Sequence, residues 1–78
     1  MSKVKEWVDL IFKMDNYHLE HKDTLRRGQA WMNYLYTNHR DLHDLLDQTE
    51  ADCFYRDNLV DKAAAKLYER FTNISLIN

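Results

Sequence analysis

Apolar side chains recur every three or four residues along most of the chain, which is the spacing of helices that bury one face. The first series predicts a helix that is capped by Ser2 and ends at Asp15 and Asn16. Its apolar positions are Val4, Trp7, Val8, Ile11 and Met14. We therefore expect an amphipathic first helix.

A longer apolar series follows and predicts a second helix. Its stripe, including the two aromatic residues that widen it, consists of Leu25, Gly28, Trp31, Met32, Tyr34, Leu35 and Tyr36. The start is open between a direct start at Tyr17 and a later one capped by Asp23 or Thr24. Thr37 and Asn38 predict its end.

The second half of the chain predicts two more helices around one polar loop. Asn38 is the expected cap of a short helix with Leu42, Leu45 and Leu46 on one side, and residues 47–52 form the loop. We expect the segment 53–55 to pack on the core as an aromatic plug. Asp57 or Asn58 caps the last helix, whose predicted buried face is Val60, Ala63, Ala64, Leu67 and Phe71.

The resulting prediction is an all-α protein, a compact bundle of three or four helices forming a single domain over residues 1–78. The chain has no proline and one glycine, which leaves little from which to build the turns of an all-β fold. The tail 73–78 alternates apolar and polar residues. This alternation predicts an extended segment, either folded back over the bundle or used as a docking strand.

Composition and charge narrow the class of protein. With 45% hydrophobic and 31% charged residues, the chain is too apolar for disorder. A net charge of −2 and a pI near 6.0 argue against a general nucleic-acid binder. The single cysteine excludes an internal disulfide and predicts a reducing cytoplasm. No signal peptide or membrane span is expected.

The histidines raise metal binding as an alternative function. His18 and His21 are three residues apart, and His39 and His43 are four apart. Each spacing places two imidazoles on one helix face, but the sequence lacks the paired cysteines and the His-Glu-x-x-His order of zinc sites. The lone Cys53 stands beside aromatic residues that would raise its pKa. We therefore expect no catalytic residues, no cofactor and no metal.

The segment around the only glycine predicts a structural clamp. Glycine inside a helix costs about 1 kcal/mol relative to alanine, so Gly28 is expected to permit a close approach. Gln29 and Asn33 share a helix face, where their amides can bond a loop backbone or each other. The predicted clamp, which fixes the loop 49–55, is Gly28, Gln29, Asn33, Thr49 and Asp52. The alternative is a small-residue contact for a partner helix.

Aromatic and basic residues provide the candidate binding surface. Ten aromatic residues exceed what so small a core needs, and Trp, Tyr and Arg often anchor interfaces. The candidate partner-binding residues are Arg26, Arg27, Trp31, Tyr34 and Tyr55. Such a mixture also suits nucleic acid, which remains an alternative that Glu20 and Asp23 weaken. Self-association into a homodimer is a further expectation, because it would extend a thin core.

The middle of the chain resembles small uncharacterised proteins encoded by bacteriophages and prophages. The pattern that carries the resemblance is Arg27-Gly28-Gln29-Ala30 with Asn33 and Leu35, then Asp41-Leu42, Thr49-Glu50, Asp52 and Phe54-Tyr55 with Asp57. The resemblance implies a phage product acting in the cytoplasm of a bacterial cell by binding a host protein. The expected function is thus a non-enzymatic interaction module that modulates or inhibits a host defence or transcription protein.

Overall fold

The computed structural model describes residues 2–74 and confirms the all-α prediction. Four α-helices are present: α1 (Lys3–Glu20), α2 (Arg27–Asn38), α3 (Arg40–Leu46) and α4 (Val60–Thr72). A 3-10 turn at Asp57–Leu59 precedes α4. Residues 2–74 contain no strand, and α1 packs against both α2 and α4, while α3 packs against α2 and α4.

Helix α1 begins as predicted but continues well past its predicted end. The Ser2 hydroxyl accepts a hydrogen bond from the Lys5 amide at 3.4 Å, which confirms Ser2 as the N-cap. The predicted stop at Asp15 and Asn16 is wrong, since the helix runs to Glu20. The carboxylate of Asp15 is engaged by side chains of α2, so it does not compete with the backbone of α1 for hydrogen bonds.

Helix α2 follows the later of the two predicted starts, although neither predicted cap is used. The residue before it is Arg26, whose amide donates to the side-chain oxygen of Gln29 at 3.4 Å. The Thr24 hydroxyl instead donates to the His21 carbonyl. The predicted end at Asn38 is confirmed. The side-chain amide of Asn38 donates to the Tyr34 carbonyl within α2. The residue that precedes α3 is His39, so the predicted Asn38 cap of that helix is wrong.

The core lies where the inner faces of the four helices meet. Its largest fully buried side chains are Met14, Trp31, Met32, Leu35, Leu46, Cys53 and Leu67. The predicted inner face of α4 is confirmed, with Val60, Ala63 and Leu67 buried. The other two predicted positions, Ala64 and Phe71, are partly buried against the same core.

The connection between α3 and α4 is irregular but held by its own side chains. Thr49 donates its hydroxyl hydrogen to the Leu46 carbonyl at 2.6 Å and accepts from the Ala51 amide at 3.1 Å. The Asp52 carboxylate accepts from the amides of Gln48 and Phe54 at 2.9 and 3.0 Å. These bonds confirm the predicted loop and leave it with a defined course.

The predicted caps of α4 have other roles. The carboxylate of Asp57 turns to α2, and a 3-10 turn containing both Asp57 and Asn58 leads into the helix. At the other end Asn73 takes the left-handed conformation, with a φ of 62°, and ends α4. Only the first two residues of the predicted extended tail are described, and residues 75–78 lie outside the described part. Of residues 2–74, no helix is long and apolar enough to cross a membrane.

Candidate functional site

The only glycine lies where the loop touches the bundle most closely. A Cβ at Gly28 would overlap the carbonyl oxygen of Cys53. The Gly28 amide donates to the Asp57 carboxylate at 2.9 Å, and the Cys53 thiol donates to the Gly28 carbonyl at 3.6 Å. The loop backbone therefore rests directly on the first turn of α2, which is the close approach predicted for this glycine.

The five residues of the predicted clamp do not form the expected hydrogen bonds between α2 and the loop. Gln29 bonds the backbone of Arg26 within its own helix, and among residues 2–74 no hydrogen bond joins Gln29 or Asn33 to the loop. Thr49 and Asp52 bond only their own loop. The contact between helix and loop is made by backbone atoms, charged groups and the Cys53 thiol, and only Gly28 of the predicted set takes part in it.

The guanidinium of Arg26 completes the attachment of the loop. Its Nη2 donates to the Phe54 carbonyl at 2.9 Å, and its Nη1 lies 3.5 Å from the Asp57 carboxylate. The side chain remains 47% exposed. Arg26 therefore links α2 to both ends of the segment 54–57 while presenting a cationic edge to solvent.

A tight turn at residues 53–56 displays an aromatic ring and a cation beside Arg26. The Arg56 amide donates to the Cys53 carbonyl at 3.2 Å and closes the turn. Tyr55, at its tip, is 80% exposed, although Phe54 packs against the core and lies edge-on to the Tyr55 ring at 4.8 Å. The predicted aromatic plug is thus right for Phe54 and wrong for Tyr55.

We call the solvent-facing set of Arg26, Tyr55 and Arg56 the Tyr55 surface. All three are exposed, and within residues 2–74 the Arg56 side chain has no ion-pair partner. Because Cys53 is fully buried and the turn is hydrogen-bonded, the Tyr55 ring is held on a fixed support. The surface combines apolar area with guanidinium groups that bind carboxylates in a directional way.

The predicted contact residues Arg27 and Trp31 both bond Asp15 of α1, but the Arg27 side chain is 44% exposed whereas Trp31 is buried. Trp31 is 1% exposed and donates its indole N–H to Asp15 at 2.8 Å, so its assignment to a partner surface is wrong. Arg27 donates two hydrogen bonds to the same carboxylate, both at 3.1 Å. The indole ring of Trp31 fills part of the core. Asp15 accepts a hydrogen bond from its N–H, and a buried tryptophan needs such a partner.

Tyr34 is also removed from the Tyr55 surface. It is partly buried, and its ring lies 5.8 Å from that of Tyr17 and 6.2 Å from that of His39. The Tyr17 ring in turn lies 4.3 Å from the His21 ring. Tyr34 therefore joins an aromatic row with Tyr17 and His39. Of the five predicted contact residues, the structure brings Arg26 near Tyr55 and, separately, places the Arg27 guanidinium 5.3 Å from the centre of the Trp31 ring.

The four histidines do not gather around a common point. Among residues 2–74, no three His, Cys, Asp or Glu side chains are arranged to hold a metal ion. His43 is hydrogen-bonded to Asp44 at 3.0 Å, and this bond lowers the pKa of Asp44. Cys53 is buried away from all of them, and desolvation raises the pKa of its thiol to about 11. A thiol with this pKa is protonated near neutral pH and is a poor nucleophile.

A second exposed feature lies along α1. An apolar groove of about 340 Å³ is lined by Trp7, Val8, Ile11, Phe12 and Asp15. Phe12 projects beside it and is 64% exposed. Trp7 forms the boundary with α4, where its indole N–H donates to the Ala64 carbonyl at 2.9 Å and its ring meets Tyr68 edge-on at 5.1 Å.

Three important residues were not among the sequence predictions for the site. Asp15 could have been recognised because it falls on the apolar side of α1, where a carboxylate needs partners. Asp57 bonds a backbone amide 29 positions away, and this pairing has no local sequence signal. Arg56 could have been noticed as a cation that directly follows the predicted aromatic plug. No family model, curated protein or solved structure matches this chain.

Proposed function

We propose that this chain is a non-enzymatic protein–protein interaction module that binds its partner through the Tyr55 surface. The observation that carries the proposal is the 80% exposure of Tyr55. The turn that holds it begins at the buried Cys53 and is closed by the hydrogen bond from the Arg56 amide to the Cys53 carbonyl. Tyrosine and arginine are the residues most often found at the energetic centre of interfaces. Because the turn is already hydrogen-bonded, its backbone loses less entropy on binding than a flexible loop would.

The chemistry of the surface favours a partner with a carboxylate beside an apolar pocket. The pocket would take the Tyr55 ring, and the carboxylate would meet Arg56, which has no ion-pair partner in the described chain. A protein is favoured over nucleic acid because Asp57 and Asp15 already pair with Arg26 and Arg27. Within residues 2–74, Arg56 is then the one cation of the Tyr55 surface without an ion-pair partner, and the whole chain carries a net charge of −2.

We place the partner in the bacterial cytoplasm, as a host protein whose activity the chain modulates or inhibits. The resemblance of residues 27–57 to small phage and prophage proteins supports this placement. A host defence or transcription protein is the proposed target class. Burial of the one thiol, which keeps it protonated near neutral pH, supports a role without covalent chemistry.

The test is affinity capture from bacterial lysate with the native chain, Tyr55→Ala and a matched control, Tyr36→Ala. Tyr36 is 52% exposed on α2, away from the Tyr55 surface, so both variants remove an exposed ring. We expect a host protein that the native chain and Tyr36→Ala retain and that Tyr55→Ala loses by about tenfold or more.

Three results would contradict the proposal. One is the absence of any reproducibly captured protein. Another is equal capture by Tyr55→Ala. The third is captured material that nuclease removes and that dissociates steeply with rising salt, since this would identify a nucleic-acid binder instead.

A further inference from the structure

Helix α1 carries more apolar surface than the bundle uses. Its core face, centred on Leu10 and Met14, is buried, but a second row of apolar residues continues around the helix. This outer stripe consists of Val4, Val8, Phe12 and Leu19. At about 100° per residue the four positions fall within roughly 80° of arc. Three of them are exposed, by 41% at Val4, 64% at Phe12 and 61% at Leu19.

Lys5 and Glu20 of α1 lie at the ends that the helix dipole does not favour, whereas Glu6, in the first turn, has the favoured charge and pairs with Lys3 at 3.7 Å. Lysines 3 and 5 occupy the first turn, near the positive end of the helix dipole, and Glu20 occupies the last turn, near the negative end. Lys5 reaches Asp9 only at 3.8 Å with both groups exposed. Within residues 2–74, Glu20 has no ion-pair partner. The isolated helix gains little from this arrangement.

An antiparallel copy of the same helix explains both features. When two α1 helices pack antiparallel with residue 12 at the two-fold axis, position 4 of one copy lies near position 19 or 20 of the other. Lys5 of each copy then faces Glu20 of its partner, and the outer stripes meet along their length. The contact is self-complementary, as a two-fold interface must be.

We propose that the chain forms a two-fold symmetric dimer through the outer stripe of α1, with Phe12 of each copy in the groove of the other. The groove beside Phe12, about 340 Å³ in volume and lined by Trp7, Val8 and Ile11 among others, receives the ring. Asp15, the carboxylate that lines the groove, is paired with Arg27. The groove rim therefore offers little like-charge repulsion to a second copy.

The size of the stripe sets the strength of the dimer. An aromatic side chain has about 150–250 Å² of surface, so the exposed part of Phe12 contributes on the order of 100 Å². With Val4, Leu19 and the polar rim, each copy buries a few hundred Å². This is below the roughly 800 Å² per partner of typical stable complexes. We expect a reversible dimer with a dissociation constant in the micromolar range.

Sedimentation equilibrium of the full chain over about 5–500 µM tests the proposal. We expect the mass to rise from 9.5 kDa towards twice that value with concentration. Phe12→Asp is expected to weaken association by about 100-fold or more, since each dimer buries the ring twice. Tyr55→Asp, a matched change at an exposed ring elsewhere, should leave association unchanged. Circular dichroism verifies that both variants fold.

Charge reversal tests the antiparallel arrangement itself. Lys5→Glu and Glu20→Lys should each weaken the dimer several-fold at low salt, and the double variant should restore it. A native chain that stays monomeric up to 500 µM would overturn the proposal, as would association unaffected by Phe12→Asp. Loss with Phe12→Asp but no restoration in the double variant would overturn the antiparallel register. None of these outcomes depends on the partner bound by the Tyr55 surface.

Discussion

Replacing Gly28 with alanine tests whether the loop is held by close contact with α2. Alanine would stabilise a free helix by up to about 1 kcal/mol relative to glycine. Its Cβ, however, would overlap the Cys53 carbonyl oxygen and lie 3.0 Å from the carbonyl carbon and 3.1 Å from an oxygen of Asp57. Two of these three atoms belong to the backbone of a buried residue, so no side-chain rotation relieves the contact.

The expected result is a net loss of stability. Overpacking of this kind costs about 1–3 kcal/mol, and a weakened hydrogen bond to the Asp57 carboxylate costs about 1.5 kcal/mol or more. After subtraction of the helix gain, we expect Gly28→Ala to lower the free energy of unfolding by roughly 2–3 kcal/mol. In a domain of this size that corresponds to a fall in Tm on the order of 10–20 °C.

Urea unfolding followed by circular dichroism measures this difference directly. Thr37→Ala, an exposed change in the same helix, is the control and should shift stability by no more than about 0.5 kcal/mol. The sign of the effect decides the question. A Gly28→Ala protein as stable as the native chain, or more stable, would show that the loop does not rest on α2 at this residue.

Two further predictions concern buried groups. Trp31→Phe removes a bond to a carboxylate at 2.8 Å, whereas Trp7→Phe removes one to the Ala64 carbonyl at 2.9 Å. In denaturant unfolding we expect a loss of about 2 kcal/mol for the first and about 1 kcal/mol for the second, and the reverse order would contradict the role of Asp15. Burial raises the pKa of Cys53 from 9.0 to about 11, so the unfolded chain loses this proton first. The stability that Cys53 adds over Cys53→Ala should be complete below about pH 9 and decline as the pH rises to about 11. A difference that stays constant from pH 8 to 11 would refute it.

The existence of the helices followed from apolar periodicity, but several of their ends did not. The predicted end of α1 at Asp15 rested on a general preference. Aspartate is often found at helix ends, because its side chain hydrogen-bonds nearby backbone groups. In the fold this carboxylate has stronger partners in Arg27 and Trp31, which lie 12 and 16 positions further along the chain. A local rule cannot anticipate a tertiary bond, so the helix continues where the sequence suggested an end.

In the candidate site too, local features could be predicted from the sequence and tertiary partners could not. The energetic penalty of a helical glycine was enough to predict a close approach at Gly28, and the structure has one. The partners were missed for two reasons. The Cys53 carbonyl is a backbone group that any residue would supply, and the Asp57 carboxylate lies 29 positions from Gly28 with no local signal to connect them. Tyr55 and Trp31 are both aromatic, and only packing decides that one is exposed and the other buried.

The contact between the loop and α2 contributes to the stability of the fold and also positions the exposed Tyr55 ring. Cys53 is buried against Gly28, and two positions later Tyr55 projects into solvent, so the core contact and the proposed binding ring belong to one turn. Arg26 strengthens this link because it holds the Phe54 carbonyl while its own edge stays exposed. The Tyr55 ring is therefore presented by a turn only four residues long. The outer stripe of α1 has no such link, since Phe12 projects from a regular helix whose core face is formed by other residues. Changes at Phe12 should thus alter the proposed self-association alone, whereas changes at Gly28 should act on folding and on the Tyr55 surface together.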